Sequence, residues 1–257
     1  MAEMNEVHKM GAGSARQPVL GAIGVNVAAQ QFVKDAQDLT PRAFLKAHPE
    51  TLRLYAVTDN SWLDGRPLSV CVAEALEGGA TFVQLRDKHA TTDERVEEAA
   101  TLKALCGMTH APFVINDDVE AARRADADGV HVGQSDAACS AARLLLGEDK
   151  IVGVSVQTVE QALAAEAQGA DYLGVGALFG TSTKKDASEV SMDTLKAICE
   201  AVSIPVVGIG GLNAKTIPGM AETGVEGAAV VSAIFAAPDI RRAAEELREV
   251  IHGIVEE

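Results

Sequence analysis

The feature that most restricts how this chain can fold is a unit of strand, loop and helix that repeats from Leu52 onwards. Short apolar stretches typical of strands alternate with longer stretches typical of helices. The predicted strands are Leu52–Val57, Thr81–Leu85, Pro112–Ile115, Gly129–Val132, Ile151–Val154, Tyr172–Val175, Val206–Ile209 and Gly227–Val231. Every connection between them is too long for a hairpin, so neighbouring strands are expected to run parallel. Eight such units predict an α/β fold, a closed (β/α)8 TIM barrel.

Eight helical patterns follow these strands in turn. They cover Leu68–Glu77, Asp93–Cys106, Val119–Ala125, Ala137–Leu146, Val159–Gln168, Met192–Val202, Ala214–Glu222 and Ile240–Val250. The alternative fold is an open, doubly wound sheet. Such a sheet would place a glycine-rich phosphate turn after its first strand, whereas Thr58-Asp59-Asn60 stands there. The closed barrel is therefore favoured.

Composition limits the classes of partner. The chain has 257 residues, of which 47% are hydrophobic and only 4% aromatic, which suits one barrel with an aliphatic core. Its formal net charge is −15, whereas nucleic acid and anionic membranes require a basic surface. We therefore expect small-molecule substrates, no nucleic acid and no membrane, and any anionic ligand must meet a local cluster of positive charge. The sequence carries no signal for an oligomeric state.

The chain divides into an N-terminal extension, residues 1–50, and a barrel domain, residues 51–257. The first 20 residues show no periodicity and predict a flexible tail, whereas Val25–Ala36 has a helical pattern. Thr40-Pro41 predicts a helix start, with Thr40 as the N-cap. Because the extension leads directly into the first strand, it is predicted to cover the lower mouth of the barrel. No signal-peptide pattern is present, which predicts a cytoplasmic protein, and four widely spaced cysteines predict reduced thiols.

Positive charge is concentrated where the second strand ends. Gln84, Arg86 and Lys88 follow one another at a spacing of two, so in an extended chain their side chains share a face. Arginine binds an anion through two parallel hydrogen bonds and lysine through a compact charge, which suits a phosphorylated ligand. The competing interpretation is an edge strand whose charges are simply solvated.

Carboxylates follow the third and fourth strands. The third strand leads into Asn116-Asp117-Asp118, and Asp136 follows the fourth. Capping of the next helix accounts for one of the first two aspartates and also fits Asp136. Two carboxylates at neighbouring strand ends equally suit a divalent cation that takes its other ligands from water and a diphosphate. His131 lies within an apolar strand and is interpreted as a packed, hydrogen-bonded histidine rather than a ligand.

The remaining strand ends carry small and hydroxyl residues. Ser155 ends the fifth strand, and the loop 176–190 after the sixth contains the hydroxyls and lysines of the segment 181–186. A glycine-rich stretch, Gly208–Gly211, ends the seventh strand, and the eighth closes with Val231-Ser232. Glycine and a small hydroxyl at these two positions are typical of a barrel phosphate site.

These motifs, in this order, resemble the thiamine phosphate synthase family. The matching segments are QLRDK (Gln84–Lys88), ND (Asn116-Asp117), GVHVGQSD (Gly129–Asp136), GVS (Gly153–Ser155), TSTK (Thr181–Lys184), GIGG (Gly208–Gly211) and VVSAI (Val230–Ile234). The resemblance covers about 200 residues, from Leu52 to the C-terminal helix. Two features depart from the family pattern: the extension before Leu52, and Ala177 and Gly180 where the family carries prolines.

The resemblance implies an enzyme that condenses 4-amino-2-methyl-5-(diphosphooxymethyl)pyrimidine with thiazole phosphate, or its carboxylated form, to thiamine phosphate and diphosphate. It implies that the aminopyrimidine diphosphate is bound by Gln84, Arg86, Lys88, Asn116, Ser155 and Lys184. It implies a Mg2+ cofactor held by Asp117 and Asp136. It implies that the thiazole phosphate is bound by Thr181, Ser182, Thr183, Gly211, Val231 and Ser232. The residues with a catalytic role are then Lys184, Arg86, Lys88 and Ser155.

Three alternatives remain at this point. A thiazole tautomerase of the same barrel family would need the thiazole phosphate site but neither the carboxylates nor the basic cluster, and Gln157 stands near where its acid–base histidine is expected. A phosphate-handling isomerase or aldolase would need a general base or a Schiff-base lysine, a role open to Lys88 or Lys184. A thiamine-precursor binding protein would show affinity without turnover.

Overall fold

The computed structural model describes residues 27–133, 136–180 and 189–255, with the side chains of Val27, Asp136 and Ala137 excluded. Eight parallel strands close into one barrel in chain order, so β1 pairs with both β2 and β8. The strands are β1 Leu54–Val57, β2 Phe82–Leu85, β3 Phe113–Asn116, β4 Gly129–Val132, β5 Ile151–Val156, β6 Tyr172–Val175, β7 Val206–Ile209 and β8 Gly227–Val230. The predicted (β/α)8 barrel is confirmed.

Alternation of side chains along each strand produces two apolar clusters. Residues of one parity, such as Ala56 and Val83, pack outward beneath the helices and belong to the larger cluster. Residues of the other parity point into the barrel and form a smaller cluster with large aromatic members. Tyr55, Phe82 and Tyr172 are each at most 1% exposed there. The interior is thus a packed core in its lower half, which confines any cavity to the other end.

Helices surround the barrel. Within the described ranges they are α1 Val27–Asp38, α2 Pro41–Ala47, α3 Leu68–Glu77, α4 Thr92–Thr109, α5 Val119–Arg124, α6 Asp136–Leu146, α7 Val159–Ala167, α8 Met192–Ala201, α9 Ser232–Phe235 and α10 Ile240–Val255. Side-chain caps start several of them: Thr40 caps α2, and Thr91 and Glu94 form a reciprocal capping box at α4. Of the helices described, none is long and apolar enough to cross a bilayer.

Several predicted boundaries differ from the observed ones, by up to five residues at the end of α10, and three of the differences have a local reason. The helix expected over Ala214–Glu222 is only a 3-10 turn, Ile217–Met220, because Pro218 has no amide proton to donate to the carbonyl of Ala214, and its ring would clash with that carbonyl in an α-helix. The first strand starts at Leu54 because Pro49–Leu52 forms another 3-10 turn. Helix α4 continues past its predicted end at Cys106 to Thr109, and His110 ends it in the left-handed conformation, with φ of 59°.

Helix α2 lies across the amino-terminal ends of the strands. Leu45 is 1% exposed and belongs to the barrel-interior cluster. Arg42 donates from Nε to Asp171 Oδ1 at 2.6 Å, and its backbone amide donates to the carbonyl of Asp149 at 3.0 Å. Asp171 also binds Arg143 and the amide of Val152, so it ties α2 to the floor of the barrel. The division into domains at residue 50 stays a prediction.

Candidate active site

A cavity of about 240 Å³ opens where the eight strands terminate. Every strand, or the residues directly after it, contributes to the cavity wall, as expected of the carboxyl end of such a barrel. Apolar residues such as Val57, Ile209 and Leu212 form part of the wall, and glycines and polar or charged side chains form the rest. A partly apolar cavity with a few polar groups is typical of a small-molecule site.

Gln84, Arg86 and Lys88 line this cavity together, as the alternation of side chains predicts. Arg86 Nη1 donates to Asp59 Oδ2 at 2.9 Å, and the amide of Arg86 donates to the hydroxyl of Thr58 at 2.9 Å. A guanidinium carries five N–H donors, so this one bond does not exhaust the capacity of Arg86 to bind an anion.

Asp59, which sequence reasoning missed, holds the Arg86 side chain. Burial by itself would raise the pKa of Asp59, but hydrogen bonds from Ser61 and the neighbouring Arg86 outweigh it and hold that pKa below its usual value. Asp59 is therefore ionised at neutral pH and stays paired with the guanidinium. The ion pair has side chains 13% and 16% exposed, so the orientation of Arg86 is fixed in a partly desolvated setting.

The two aspartates after β3 do different things. Asp118 accepts from the amide of Ala121 at 2.8 Å and from Arg95 and Thr92, so the predicted capping role is confirmed for Asp118. Burial opposes its charge, but these hydrogen bonds lower the pKa of Asp118 below its usual value.

Asp117 instead lines the cavity and is exposed. Its φ of 61° lies in the left-handed region, which aspartate tolerates better than most residues. Its amide donates to the carbonyl of His131 at 2.8 Å, and Asn116 Nδ2 donates to Asp117 Oδ2 at 2.7 Å. The backbone turn thus directs an ionisable carboxylate into the mouth of the cavity.

Over the described ranges, no group of three or more His, Cys, Asp or Glu side chains is placed to hold a metal ion. Asp117 offers a carboxylate beside the cations of Arg86 and Lys88 in the same cavity. Mg2+ typically keeps several waters and uses one or two carboxylates together with phosphate oxygens. Among the described side chains of the cavity, the Asp117 carboxylate is of the type that Mg2+ uses together with water and phosphate oxygens.

A chain of hydrogen bonds runs beneath the cavity. Gln84 Nε2 donates to Tyr55 Oη at 2.5 Å, the hydroxyls of Tyr55 and Tyr172 lie 2.7 Å apart, and Tyr172 Oη lies 2.9 Å from His131 Nδ1. His131 Nε2 then lies 2.9 Å from Ser155 Oγ. His131 is 7% exposed and bonded through both ring nitrogens, which confirms its interpretation as a packed, hydrogen-bonded residue.

Sequence reasoning missed the two tyrosines of this chain. Burial raises the pKa of both phenols above the usual value of 10.0, so both stay protonated at neutral pH. A signal was present, since each tyrosine is a polar residue at an inward-facing position of an apolar strand. Its partner lies 117 residues away, and only closure of the barrel brings the two rings together.

Glycines after β7 allow two strand-end loops to pack closely. Gly210 has φ of +97°, and a Cβ there would lie 2.7 Å from Ala177 Cα. Gly211, with φ of +67°, is similarly close to Phe179. Gly211, Val231 and Ser232 all line the cavity and follow the neighbouring strands β7 and β8. This part of the wall is small and uncharged.

Five predicted site residues have side chains outside the described part of the structure. Thr181, Ser182, Thr183 and Lys184 lie outside the described residues, as does the side chain of Asp136. Helix α6 begins at Asp136 itself. The roles assigned to these residues stay predictions.

Comparison with known proteins gives one consistent family. A family model described as thiamine monophosphate synthase matches residues 54–234. The thiamine-phosphate synthase of Ruminiclostridium cellulolyticum is 48% identical over 197 residues, covering 77% of this chain and 94% of that protein. The thiamine-phosphate synthase of Clostridium tetani is 46% identical over 194 residues, covering 76% and 93%.

A solved structure agrees with these relatives. The thiamine phosphate pyrophosphorylase from Pyrococcus furiosus has a TM-score of 0.74 and 42% identity, covering 80% of this chain and 98% of that one. The family-model match, residues 54–234, contains all eight strands of the barrel. The predicted family and enzyme class are therefore confirmed: the chain belongs to the thiamine monophosphate synthase family and is a transferase enzyme.

Proposed function

We propose that the cavity joins an aminopyrimidine carrying a diphosphooxymethyl group to thiazole phosphate, releasing thiamine phosphate and diphosphate. The observation that carries this proposal is the gathering of Gln84, Arg86, Lys88 and Asp117 around one partly apolar cavity in a protein of net charge −15. Arg86 and Lys88 supply cationic groups for an anionic substrate at this site. Aminopyrimidine diphosphate and thiazole phosphate are both anionic and both contain a flat ring.

The chemistry needs little acid–base catalysis. The bond between the exocyclic carbon and the diphosphate oxygen breaks, and its electron pair leaves with the diphosphate. The ring amine stabilises the resulting carbocation, and the lone pair of the thiazole nitrogen then forms the new carbon–nitrogen bond. Arg86, Lys88 and Lys184 would stabilise negative charge developing on the leaving group, and the cavity would hold the two rings in contact.

Each predicted residue has a place in this scheme. Gln84, Asn116 and Ser155 would orient the aminopyrimidine, and Asp117 and Asp136 would hold Mg2+. When bound, Mg2+ would neutralise charge on the diphosphate. The thiazole phosphate would be bound at the small, uncharged part of the wall and by the segment that follows β6, that is by Thr181, Ser182, Thr183, Gly211, Val231 and Ser232. In this proposal residues 51–257 form the catalytic unit, and residues 1–50 form an extension.

A pair of neighbouring carboxylates provides the test. Asp117→Asn should raise the Mg2+ concentration needed for half-maximal turnover at least about tenfold, because it removes a charged ligand. Asp118→Asn is the matched control, since asparagine also caps helices and the residue faces Arg95 rather than the cavity. Equal Mg2+ titrations for wild type and Asp117→Asn would contradict the metal assignment.

Isomerised thiazole without joined product would indicate a tautomerase. Binding of the substrates without turnover would indicate a precursor-binding protein.

A further inference from the structure

We propose that Tyr55, Tyr172 and His131 are positioning residues that fix the direction of protons along one hydrogen-bond chain. In consequence Ser155 presents its hydroxyl proton to the cavity as a donor, and Gln84 presents its carbonyl oxygen as an acceptor. The inference rests on the proposed function only for the identity of the ligand. It selects an aminopyrimidine over the corresponding oxo compound.

The hydrogen-bond chain is continuous, and its two tyrosines are buried. Its four contacts, from Gln84 to Ser155, are all between 2.5 and 2.9 Å. Tyr172 is 0% exposed, Tyr55 1% and Gln84 3%. Both terminal residues line the cavity, whereas the two tyrosines do not. The proton positions in the buried middle therefore determine what the two ends offer a ligand.

The direction follows from donor and acceptor capacity. An amide NH2 group donates and cannot accept, so the oxygen of Tyr55 accepts from Gln84. The proton of Tyr55 then needs an acceptor, because a buried hydroxyl without one loses its hydration uncompensated. Among the described residues, the Tyr172 oxygen is the acceptor within hydrogen-bonding distance of that hydroxyl.

The same reasoning continues through the histidine. Having accepted from Tyr55, Tyr172 directs its own proton to His131 Nδ1, which must then be the unprotonated nitrogen of a neutral ring. The ring proton lies on Nε2 and is donated to Ser155 Oγ. The Ser155 proton is left for the cavity. Reversing the Gln84 amide would reverse every step, so the two ends are coupled.

A ligand recognised by this pair needs one donor and one acceptor in matching positions. An aminopyrimidine has an amine that donates to the Gln84 oxygen and a ring nitrogen that accepts from Ser155. An oxo analogue replaces the amine with a carbonyl and adds a ring N–H, which opposes both groups. A site in which buried donors face donors and acceptors face acceptors discriminates strongly against such a ligand.

The direct test is the tautomer of His131 in the full-length wild-type protein, read from its ring ¹⁵N shifts without substrate. The signal is assigned by its loss in His131→Gln. We expect a protonated Nε2 and an unprotonated Nδ1. A proton on Nδ1 would overturn the proposal, and this result needs no variant to fold.

Coupling along the chain is tested with Gln84→Glu at about pH 8, where Arg86 and Lys88 keep a carboxylate at this position ionised. The carboxylate accepts the proton of Tyr55, so Tyr172 turns toward Tyr55 and the His131 proton moves to Nδ1. In the double variant Gln84→Glu/Tyr55→Phe the hydroxyl that links residue 84 to Tyr172 is absent. His131 should therefore keep its proton on Nε2. An unchanged tautomer in folded Gln84→Glu would refute the coupling.

Ligand selection provides the functional readout. Calorimetry on wild type should show tighter binding of the aminopyrimidine diphosphate than of its oxo analogue. The ratio of the two dissociation constants should be about tenfold smaller in Tyr172→Phe. If Tyr172→Phe left this ratio of dissociation constants unchanged, the hydrogen-bond chain would have no positioning role. Because the tautomer is measured without turnover, this inference can fail while the proposed reaction stands, and the reaction can fail while the tautomer is as expected.

Discussion

Replacing Gly153 with alanine should damage both stability and the site, because Gly153 makes room for Tyr172. A Cβ at this position would lie 2.1 Å from Tyr172 Cζ and 2.4 Å from its hydroxyl oxygen. Tyr172 is fully buried, so its ring must move by more than about 1 Å to restore ordinary contact. That movement pulls the hydroxyl away from Tyr55 and His131, which lie 2.7 and 2.9 Å from it.

The magnitude is the sum of two effects. Overpacking a core typically costs about 1–3 kcal/mol. Leaving a buried hydroxyl without its partners costs about 1–3 kcal/mol more. A loss of about 4 kcal/mol in the free energy of unfolding should lower the melting temperature by roughly 8–16 °C for a barrel of this size.

Thermal denaturation followed by circular dichroism measures this change. Gly107→Ala is the matched control, because nothing lies within 4 Å of its added Cβ and Gly107 is inside α4. It should be neutral or stabilise by about 0.5–1 kcal/mol. Combining Gly153→Ala with Tyr172→Leu should relieve part of the damage, since the clashing ring is gone. A wild-type melting temperature for Gly153→Ala would refute the packing argument.

Three further variants test other parts of the molecule. Leu45→Ala should cost about 2–5 kcal/mol in denaturant unfolding while leaving kcat per folded molecule intact, whereas the exposed Leu163→Ala should cost little. Burial disfavours charged His48, but two carboxylate partners raise its pKa above 6.5, so its stabilising contribution is full below about pH 6.5 and fades above it. The pH profile of melting temperature should lose that slope in His48→Gln. Lys184→Ala should reduce single-turnover rates about a hundredfold and Lys185→Ala little; the reverse order, or a change in KM alone, would refute the assignment.

The strands could be predicted because their apolar residues are continuous in sequence and buried on both faces. The failed helix at 214–222 shows where such patterns mislead: its apolar spacing was helical, but Pro218 and the Asn213 side chain, which accepts from the amide of Lys215, favour a tight turn. Apolar spacing reports burial and does not report local backbone preference.

The site was predictable only in part. Gln84, Arg86 and Lys88 could be grouped because alternation along one strand is a local property. The contact between Tyr55 and Tyr172 depends on strands far apart in sequence and on the missing side chain of Gly153, which pairs with Tyr172 in the sheet register. A glycine opposite a large polar residue becomes informative only once the register is known.

Detection of the joined product tests the central claim most directly. Full-length protein is incubated with the aminopyrimidine diphosphate and thiazole phosphate, with Mg2+ or with a chelator, and products are quantified by mass spectrometry. The account predicts thiamine phosphate and diphosphate in equal amounts, formed with Mg2+ and strongly reduced by the chelator. Absence of thiamine phosphate from folded protein that binds both substrates would contradict it.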